Sequence, residues 1–241
     1  MTQAVALDPA QHAHLRILTS RGAAWGDEAM SALVVPAEFR AVQACYPIVF
    51  EPTADGAMGG YQPVALFGLE PGQNLFLGLN GWDAPCLPMS VERQPFLIGR
   101  GGPHGEQLNV HVDLAHPRVS HTHGEPVFDA LGQPSPYLER ITGLLGALHE
   151  GVQQLPGFID ALLGHELLES FVLDVTDDDG SVNRLAGYFT IHEERLAALD
   201  GRALTALHHA GHLALIYMVL ASTAQFPALI ERRKRRLTGL A

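Results

Sequence analysis

Histidines and carboxylates are concentrated in one short segment of this sequence. His111 and Asp113 stand two positions apart in a β-prone run, so a strand would point both side chains to the same side. His121 or His123 would then complete a set of two histidines and one carboxylate. That ligand set suits iron and leaves coordination positions open. One hypothesis is therefore an iron-dependent, oxygenase-like enzyme with His111, Asp113 and His121 or His123 as metal ligands.

A solvated polar loop is the alternative interpretation of the same segment. The candidate ligands all lie close together in the chain, and short patterns of this kind often arise by chance. A second pair, His208 and His212, has the four-residue spacing that binds zinc from one helix face. That segment lacks the glutamate of the H-E-x-x-H motif, and His208 falls on an apolar stripe. A packed histidine is the simpler interpretation there.

Aromatic residues on short β-prone runs form the second group that could carry function. Tyr46, Trp82 and Phe96 provide large rings, and Arg93 lies close to Phe96 in the chain. An arginine beside an aromatic wall can hold a carboxylate, which predicts a groove for a peptide or a small ligand. The alternative is that these rings supply buried area in the core.

Other classes of function are disfavoured by composition and motifs. Lys234 is the only lysine, so a Walker lysine is lacking, and no serine has the G-x-S-x-G setting. The net charge of −11 argues against nucleic-acid binding. The one basic run, from Glu231 to Arg236, predicts either a solvated helix end or a surface for an acidic partner or an anionic lipid.

The sequence also bears on the cellular compartment. The N-terminal residues lack a basic region followed by a long apolar stretch, and the apolar run from Leu213 to Ala221 is shorter than a bilayer span. We therefore expect a cytoplasmic protein without a transmembrane segment. Cys45 and Cys86 have neither metal-binding nor redox-motif spacing, and whether they form a bridge is left open.

The elements that must position these residues change type along the chain. The N-terminal half is rich in Pro, Gly and short β-prone runs, which predicts a mainly antiparallel sheet. The predicted strands and the one short helix are Ser31–Val35, Pro36–Ala44 (helix), Pro47–Phe50, Pro63–Phe67, Asn74–Leu77, Phe96–Ile98 and Leu108–Asp113.

The C-terminal half is mostly helical in pattern. Ser135 is the predicted cap of a helix that begins at Pro136, and an apolar stripe continues past Pro156, which predicts an αα-hairpin broken at that proline. A β-hairpin follows, turning at 178–180, and Asp200 caps a last helix that reaches about Ala224. The whole chain, 1–241, is predicted to be a single α+β domain, with the N-terminal sheet and the C-terminal hairpin packed against C-terminal helices.

Separated motifs along most of the chain resemble the SapC family. They are Val35-Pro-Ala-Glu-Phe39, Tyr46-Pro-Ile-Val-Phe50, Leu66-Phe-Gly-Leu69, Pro71-Gly-Gln-Asn-Leu-Phe76, Gly81-Trp82, Pro88, Arg93, Pro95-Phe96, Pro126-Val-Phe128, Gly132, Ser135-Pro-Tyr-Leu138, Gly187-Tyr188 and the region from Leu215 to Ser222. The chain departs from the family at Cys86, near which an aromatic residue is usual.

The resemblance implies a genomic context rather than a reaction. The family takes its label from bacterial surface-layer gene clusters, and members resemble proteins encoded beside halogenase-like and oxygenase-like enzymes. The leading hypothesis is a non-catalytic accessory protein that binds a peptide or small ligand, with a halogenase-like or oxygenase-like enzyme as a candidate protein partner. The alternatives are the iron-dependent enzyme and a surface-layer structural protein.

Overall fold

The computed structural model describes residues 3–54, 56–101, 107–177 and 180–239 and has an α+β architecture. The strands in chain order are β1 (Ala4–Ala6), β2 (Arg16–Ile17), β3 (Ser31–Leu33), β4 (Ile48–Pro52), β5 (Tyr61–Leu66), β6 (Leu77–Gly78), β7 (Gly81–Trp82), β8 (Phe96–Gly101), β9 (Gln107–Asp113), β10 (Val119–Ser120), β11 (Glu125–Pro126), β12 (Leu168–Thr176) and β13 (Val182–Ile191).

The helices differ greatly in length. In chain order they are α1 (Pro9–His12), α2 (Phe39–Val42), α3 (Met89–Glu92), α4 (Pro136–Gly164), α5 (Glu193–Ala197), α6 (Gly201–His209), α7 (His212–Ser222) and α8 (Phe226–Leu237). The short helical turns Ala23–Trp25, Pro36–Glu38, Ala57–Gly60 and Thr223–Gln225 have 3-10 geometry.

The chain divides into two compact units. Unit 1 comprises the residues up to Asp27 together with Met89–Glu150, and unit 2 comprises Glu28–Pro88 together with the residues from Gly151 onward. Helix α4 contributes its first half to unit 1 and its second half to unit 2. The single-domain organisation therefore stays a prediction, while the α+β class is confirmed.

Unit 2 is built on a five-stranded sheet in the order β12-β13-β4-β5-β3, all of whose pairs are antiparallel. This is the predicted combination of N-terminal strands with a C-terminal hairpin. The turn predicted at 178–180 includes residues 178 and 179, which lie outside the described residues. Phe158 of α4 packs beside Phe39 and Phe50, with ring centroids 6.2 Å apart in each pair. Rings from the first half of the chain thus share a buried interior with a helix of the second half.

Unit 1 contains two small antiparallel sheets, β1-β9-β8 and β10-β2-β11. Their apolar residues surround the first half of α4. The buried cluster comprises Leu15, Ile17, Phe96, Val112, Val127, Phe128, Leu138, Ile141 and Leu145. The predicted cap is confirmed, because the Ser135 hydroxyl accepts a hydrogen bond from the Leu138 N–H at 3.2 Å.

The predicted break at Pro156 is wrong. Helix α4 is continuous from Pro136 to Gly164 and contains Pro156 in its interior. Pro156 lies on the exposed face, while Leu155 and Phe158 continue the buried stripe on the other side. An interior proline costs about 3 kcal/mol, and burial of these large side chains offsets a loss of that size.

Two further sequence predictions need correction. The last helix does not run unbroken to Ala224, because Gly211 adopts a left-handed conformation (φ 76°) between α6 and α7. Asn74–Leu77 is mostly not a strand, since only Leu77 enters β6. The Asn74 side chain accepts a hydrogen bond from the Phe76 N–H at 3.0 Å, and such Asx turns compete with strand pairing.

One helical run is long and apolar enough to cross a membrane by length and composition. It extends from His212 to Leu237, over 26 residues, and its most apolar 18-residue window has a mean hydropathy of 1.8 with 22% of the window buried. This run includes Leu213–Ala221, which alone is shorter than a bilayer span. A core helix of a soluble protein passes the same test, so the finding is weak support for a membrane span.

Candidate ligand-binding site

Tyr46 lies at the centre of an aromatic cluster in unit 2. Its side chain is fully buried, yet its hydroxyl has partners on both sides. The hydroxyl accepts a hydrogen bond from the Trp82 Nε1–H at 2.7 Å and donates one to the backbone carbonyl of Cys86. Burial raises the pKa of the Tyr46 phenol, so the group stays protonated at ordinary pH.

The rings around Tyr46 pack edge to face. The Tyr46 ring centroid lies 4.7 Å from that of Phe76 and 5.1 Å from that of Phe67, and Trp82 lies 5.0 Å from Phe67. This geometry is favourable because the positive ring edge meets the negative face of its neighbour. These contacts hold Phe76 and strand β7, which carries Trp82, in place. Arg232 lies on this cluster.

Arg232 of α8 covers the aromatic cluster. Its guanidinium carbon lies 4.3 Å from the centroid of the Phe76 ring, within the range of a cation–π interaction. Its Nη1 donates to Asp83 Oδ2 at 2.8 Å, and its Nη2 donates to the Asp83 backbone carbonyl at 3.0 Å. Arg232 is therefore held in one orientation by an aromatic face and by a carboxylate.

A buried ion pair fixes the helix that carries Arg232. Arg233 is 6% exposed, and its Nε and Nη2 donate to the two carboxylate oxygens of Asp177 at 3.0 and 2.7 Å. Its Nη1 lies 2.6 Å from Glu70 Oε1. These hydrogen bonds lower the pKa of the Asp177 carboxyl and raise the pKa of Arg233. Because Arg233 points inward, its neighbours on the other face of α8 remain on the surface.

A cavity of about 230 Å³ opens beside Arg232. Arg236 contributes a second guanidinium, whose Nη1 donates to the Asn74 and Leu77 carbonyls at 2.9 and 3.3 Å. Arg235 contributes a third, which contacts Glu231 through Nε at 3.1 Å. The lining residues are Leu75, Leu77, Gly78, Asp83, Arg232, Arg235 and Arg236. Three cations and one carboxylate make the lining positive, although the whole chain carries a net charge of −11.

This lining suits an anion with an apolar part. Guanidinium groups bind carboxylates and phosphates through paired N–H donors, and Leu75 and Leu77 offer apolar contact beside them. The basic run was predicted to be either a solvated helix end or a surface for an acidic partner or an anionic lipid, and its arginines were not connected with the aromatic residues. The signal was present, since positions 232, 235 and 236 lie on one helical face and position 233 does not.

The four predicted groove residues form two separate contacts, one in each unit. Tyr46 contacts Trp82 in unit 2, as described above. In unit 1, the Arg93 Nη1 donates to the Phe96 backbone carbonyl at 2.6 Å, while the Phe96 ring is fully buried in the core. Burial lowers the pKa of the Arg93 guanidinium. Within unit 2, the arginine that lies on the aromatic cluster is Arg232. The groove that combines these rings with Arg93 stays a prediction.

The predicted metal ligands lie at three different kinds of position in unit 1. His111 lies on β9 with its ring against Gly99, and its buried Nε2 has no hydrogen-bond partner among the described residues. Asp113 Oδ1 accepts hydrogen bonds from two backbone N–H groups, of Gln3 and Ala115. His121 and His123 are exposed. In the described part of the chain, no three His, Cys, Asp or Glu side chains are grouped to hold a metal. The iron site stays a prediction.

Other histidines are involved in packing or line a second cavity. The His212 ring lies 5.5 Å from Phe158, and burial lowers its pKa, as expected of a packed histidine. His121 lines a cavity of about 370 Å³ in unit 1, together with His14 and Asp129. The Asp129 Oδ1 there accepts hydrogen bonds from two backbone N–H groups of its own turn, so it serves the local backbone.

Comparison with known proteins gives one family. Searches of curated proteins and of solved structures found no match. The family model of SapC matches residues 7–229, which is most of the 241-residue chain and includes Tyr46, Phe76, Trp82 and Asp83. The chain belongs to the SapC family.

Proposed function

We propose that this protein is a non-catalytic binding protein that holds the carboxylate of a small molecule or peptide in the unit 2 cavity. The observation that carries this proposal is the grouping of Arg232, Arg235 and Arg236 around one cavity with a single carboxylate, Asp83. Guanidinium groups form strong, directional hydrogen bonds with carboxylates. Arg232 is already oriented by its contacts, so little ordering is required when a ligand binds.

The apolar part of the ligand has a defined place in this proposal. Leu75 and Leu77 border the cavity, and Leu79 at the tip of the β6–β7 hairpin is fully exposed. An aromatic or aliphatic group beside the carboxylate would cover these leucines. The favoured ligand class is therefore an aromatic or aliphatic carboxylic acid, or a peptide that ends in an apolar residue with a free carboxylate.

A matched pair of probes tests the proposal. N-acetylphenylalanine and N-acetylphenylalaninamide have the same ring and differ in the carboxylate. We expect saturable binding of the acid, and at least tenfold weaker binding of the amide, because the charged hydrogen bonds are lost. Titration calorimetry measures both affinities. Equal affinity for the acid and the amide would contradict a carboxylate site.

Two arginine variants locate the binding. Arg235 is largely exposed and lines the cavity, so Arg235→Gln removes one cation without disturbing the core. Arg40 is also exposed in unit 2, on α2, and does not line the cavity, so Arg40→Gln is a control with the same charge change. We expect binding of the acid to weaken about tenfold in Arg235→Gln and to be unchanged in Arg40→Gln. A similar loss in both would indicate a general charge effect.

A further inference from the structure

Two cysteines that are distant in the sequence meet beside Tyr46. Neither Cys45 nor Cys86 is bridged in the structure, and both residues are partly exposed. The Cys86 backbone N–H lies within hydrogen-bonding reach of the Cys45 sulfur. The next residue, Tyr46, donates its hydroxyl proton to the Cys86 carbonyl. Two consecutive residues of another segment therefore contact the Cys86 backbone. Cys45 contacts its N–H, and Tyr46 contacts its carbonyl.

This arrangement brings the two sulfur atoms within reach of each other. In a cysteine, the amide nitrogen and the sulfur are about 3 Å apart, and rotation about χ1 sets the direction of the sulfur. Because the Cys86 amide is within hydrogen-bonding reach of the Cys45 sulfur, the Cys86 side chain starts from a position next to Cys45. Rotation about one bond of Cys86 therefore moves its sulfur toward Cys45. Both thiols are also close enough to the Tyr46 hydroxyl to raise its pKa.

We propose that Cys45 and Cys86 form a reversible disulfide within the chain when the protein meets a disulfide oxidant such as oxidised glutathione. The Cys86 thiolate attacks one sulfur of the oxidant, whose S–S bond breaks and releases one glutathione. The Cys45 thiolate then attacks the Cys86 sulfur of the mixed disulfide and releases the second glutathione. The two protein thiols lose two electrons and two protons, and the oxidant gains them as two thiols.

The environment of Cys45 sets the pH dependence of the second step. Burial raises the pKa of the Cys45 thiol, so a smaller fraction is thiolate near neutral pH than in an ordinary cysteine. Since the thiolate is the attacking species, closure of the bridge should become faster as the pH rises through and above about 9.

The bridge would act on the segment next to the candidate binding site. Cys86 follows Asp83, which holds Arg232 at the cavity. A bond from Cys86 to Cys45 would restrict that segment relative to the aromatic cluster. Formation of the disulfide does not depend on the proposed ligand, whereas an effect of the disulfide on binding rests on the proposed function.

The test uses the intact protein and oxidised glutathione, with peptide mapping under non-reducing conditions. We expect a linked pair of peptides containing Cys45 and Cys86, the loss of two hydrogen atoms from the intact mass, and reversal by dithiothreitol. The oxidised protein should unfold at a temperature higher by roughly 5 °C, because the bridge closes a loop of about forty residues. Cys45→Ser and Cys86→Ser should each prevent the linked pair and remove the increase.

Several outcomes would overturn the disulfide. These are a stable glutathione adduct on the wild-type protein without closure, a disulfide between two copies of the chain, or unreacted thiols at about pH 9 after prolonged oxidation. The acid and amide probes are then titrated into the reduced and the oxidised protein. If the disulfide forms without changing the affinity for the acid, the disulfide proposal stands. Only the proposed effect of the disulfide on binding in the cavity is then contradicted.

Discussion

Arg118 of unit 1 and Arg235 of unit 2 have opposite environments. Arg118 of unit 1 is fully buried, and its side chain is largely satisfied inside the protein. Its Nη2 contacts Asp27, while its Nη1 donates to the Leu18 and Ser20 carbonyls. Arg235 of unit 2 is 62% exposed and contacts Glu231 of its own helix. One arginine fixes a loop, and the other presents charge to the solvent.

The difference separates structural arginines from those that can bind a ligand. A buried guanidinium requires its partners, because an unpaired buried charge is strongly unfavourable. Most of its donors are then occupied, and these contacts fix its position. A guanidinium at a cavity retains donors for a ligand, and the cost of its desolvation is paid only on binding. By this criterion, Arg118 and Arg233 belong to the scaffold, and Arg235 and Arg236 belong to the candidate site.

The largest expected effect is the loss of the buried carboxylate in unit 1. Asp27→Ala removes the ion-pair partner of Arg118 and of Arg21, which contacts Asp27 Oδ1 at 3.3 Å. We expect the free energy of unfolding to fall by about 3 to 5 kcal/mol, because Arg118 then carries an uncompensated buried charge. Denaturant unfolding measures the change. Asp174→Ala is the control, since it breaks an exposed pair with Arg184 and should have little effect.

A small loss in Asp27→Ala would contradict this interpretation of unit 1. It would mean that the Leu18 and Ser20 carbonyls suffice for Arg118, or that water reaches the guanidinium. Contacts with backbone carbonyls, rather than ion pairing, would then distinguish the buried scaffold arginines from those that can bind a ligand.

A smaller effect is expected at the aromatic cluster of unit 2. Tyr46→Phe keeps the ring but removes the hydroxyl between Trp82 Nε1 and the Cys86 carbonyl. We expect a loss of about 1 to 3 kcal/mol in the free energy of unfolding, because two polar groups lose their partner. Trp82 fluorescence should also shift. Tyr61→Phe is the matched control, since Tyr61 is only partly buried, on β5 of the same unit.

Local signals predicted much of the scaffold. Ser135 and Asp200 are caps in the structure as the sequence indicated, because a cap depends only on its own next three residues. The break predicted at Pro156 was wrong. The cost of an interior proline is local, whereas the burial of the neighbouring helix residues that offsets it depends on tertiary contacts. Gly211 was also misjudged, because glycine is compatible with both a helix and a helix end.

The candidate site depended on information that is not local. Tyr46 and Trp82 were predicted to line one groove with Arg93 and Phe96, since all three aromatic residues have large rings. Their position under Arg232 follows from the orientation of α8, which the buried Arg233 determines. A run of five cations, from Arg232 to Arg236, does not reveal which member faces the core. The sequence therefore drew attention to Tyr46 and Trp82 but not to the cation that lies on their cluster, and the predicted groove with Arg93 stays a prediction.

The pH dependence of unit 2 provides the finest test of the comparison. Hydrogen bonds from Arg233 lower the pKa of Asp177 in the folded protein. A lowered pKa gives stability that is fully present above the ordinary Asp pKa and is lost as the pH falls through the folded value. We expect the difference in free energy of unfolding between wild type and Asp177→Asn to be constant above about pH 5 and to shrink below about pH 4. Denaturant unfolding across this range measures it.

A control variant and a comparison with Asp27→Ala help to interpret the effect of Asp177→Asn. Asp160→Asn alters an exposed carboxylate on α4 and should give a small, pH-independent difference. The effect of Asp177→Asn should be smaller than that of Asp27→Ala, because Arg233 keeps its contact with Glu70. If the Asp177→Asn difference did not change with pH, the carboxylate would not be titrating as an ion-pair partner. Arg233 would then hold α8 through hydrogen-bond geometry alone, and the orientation of the cavity arginines would persist in acid.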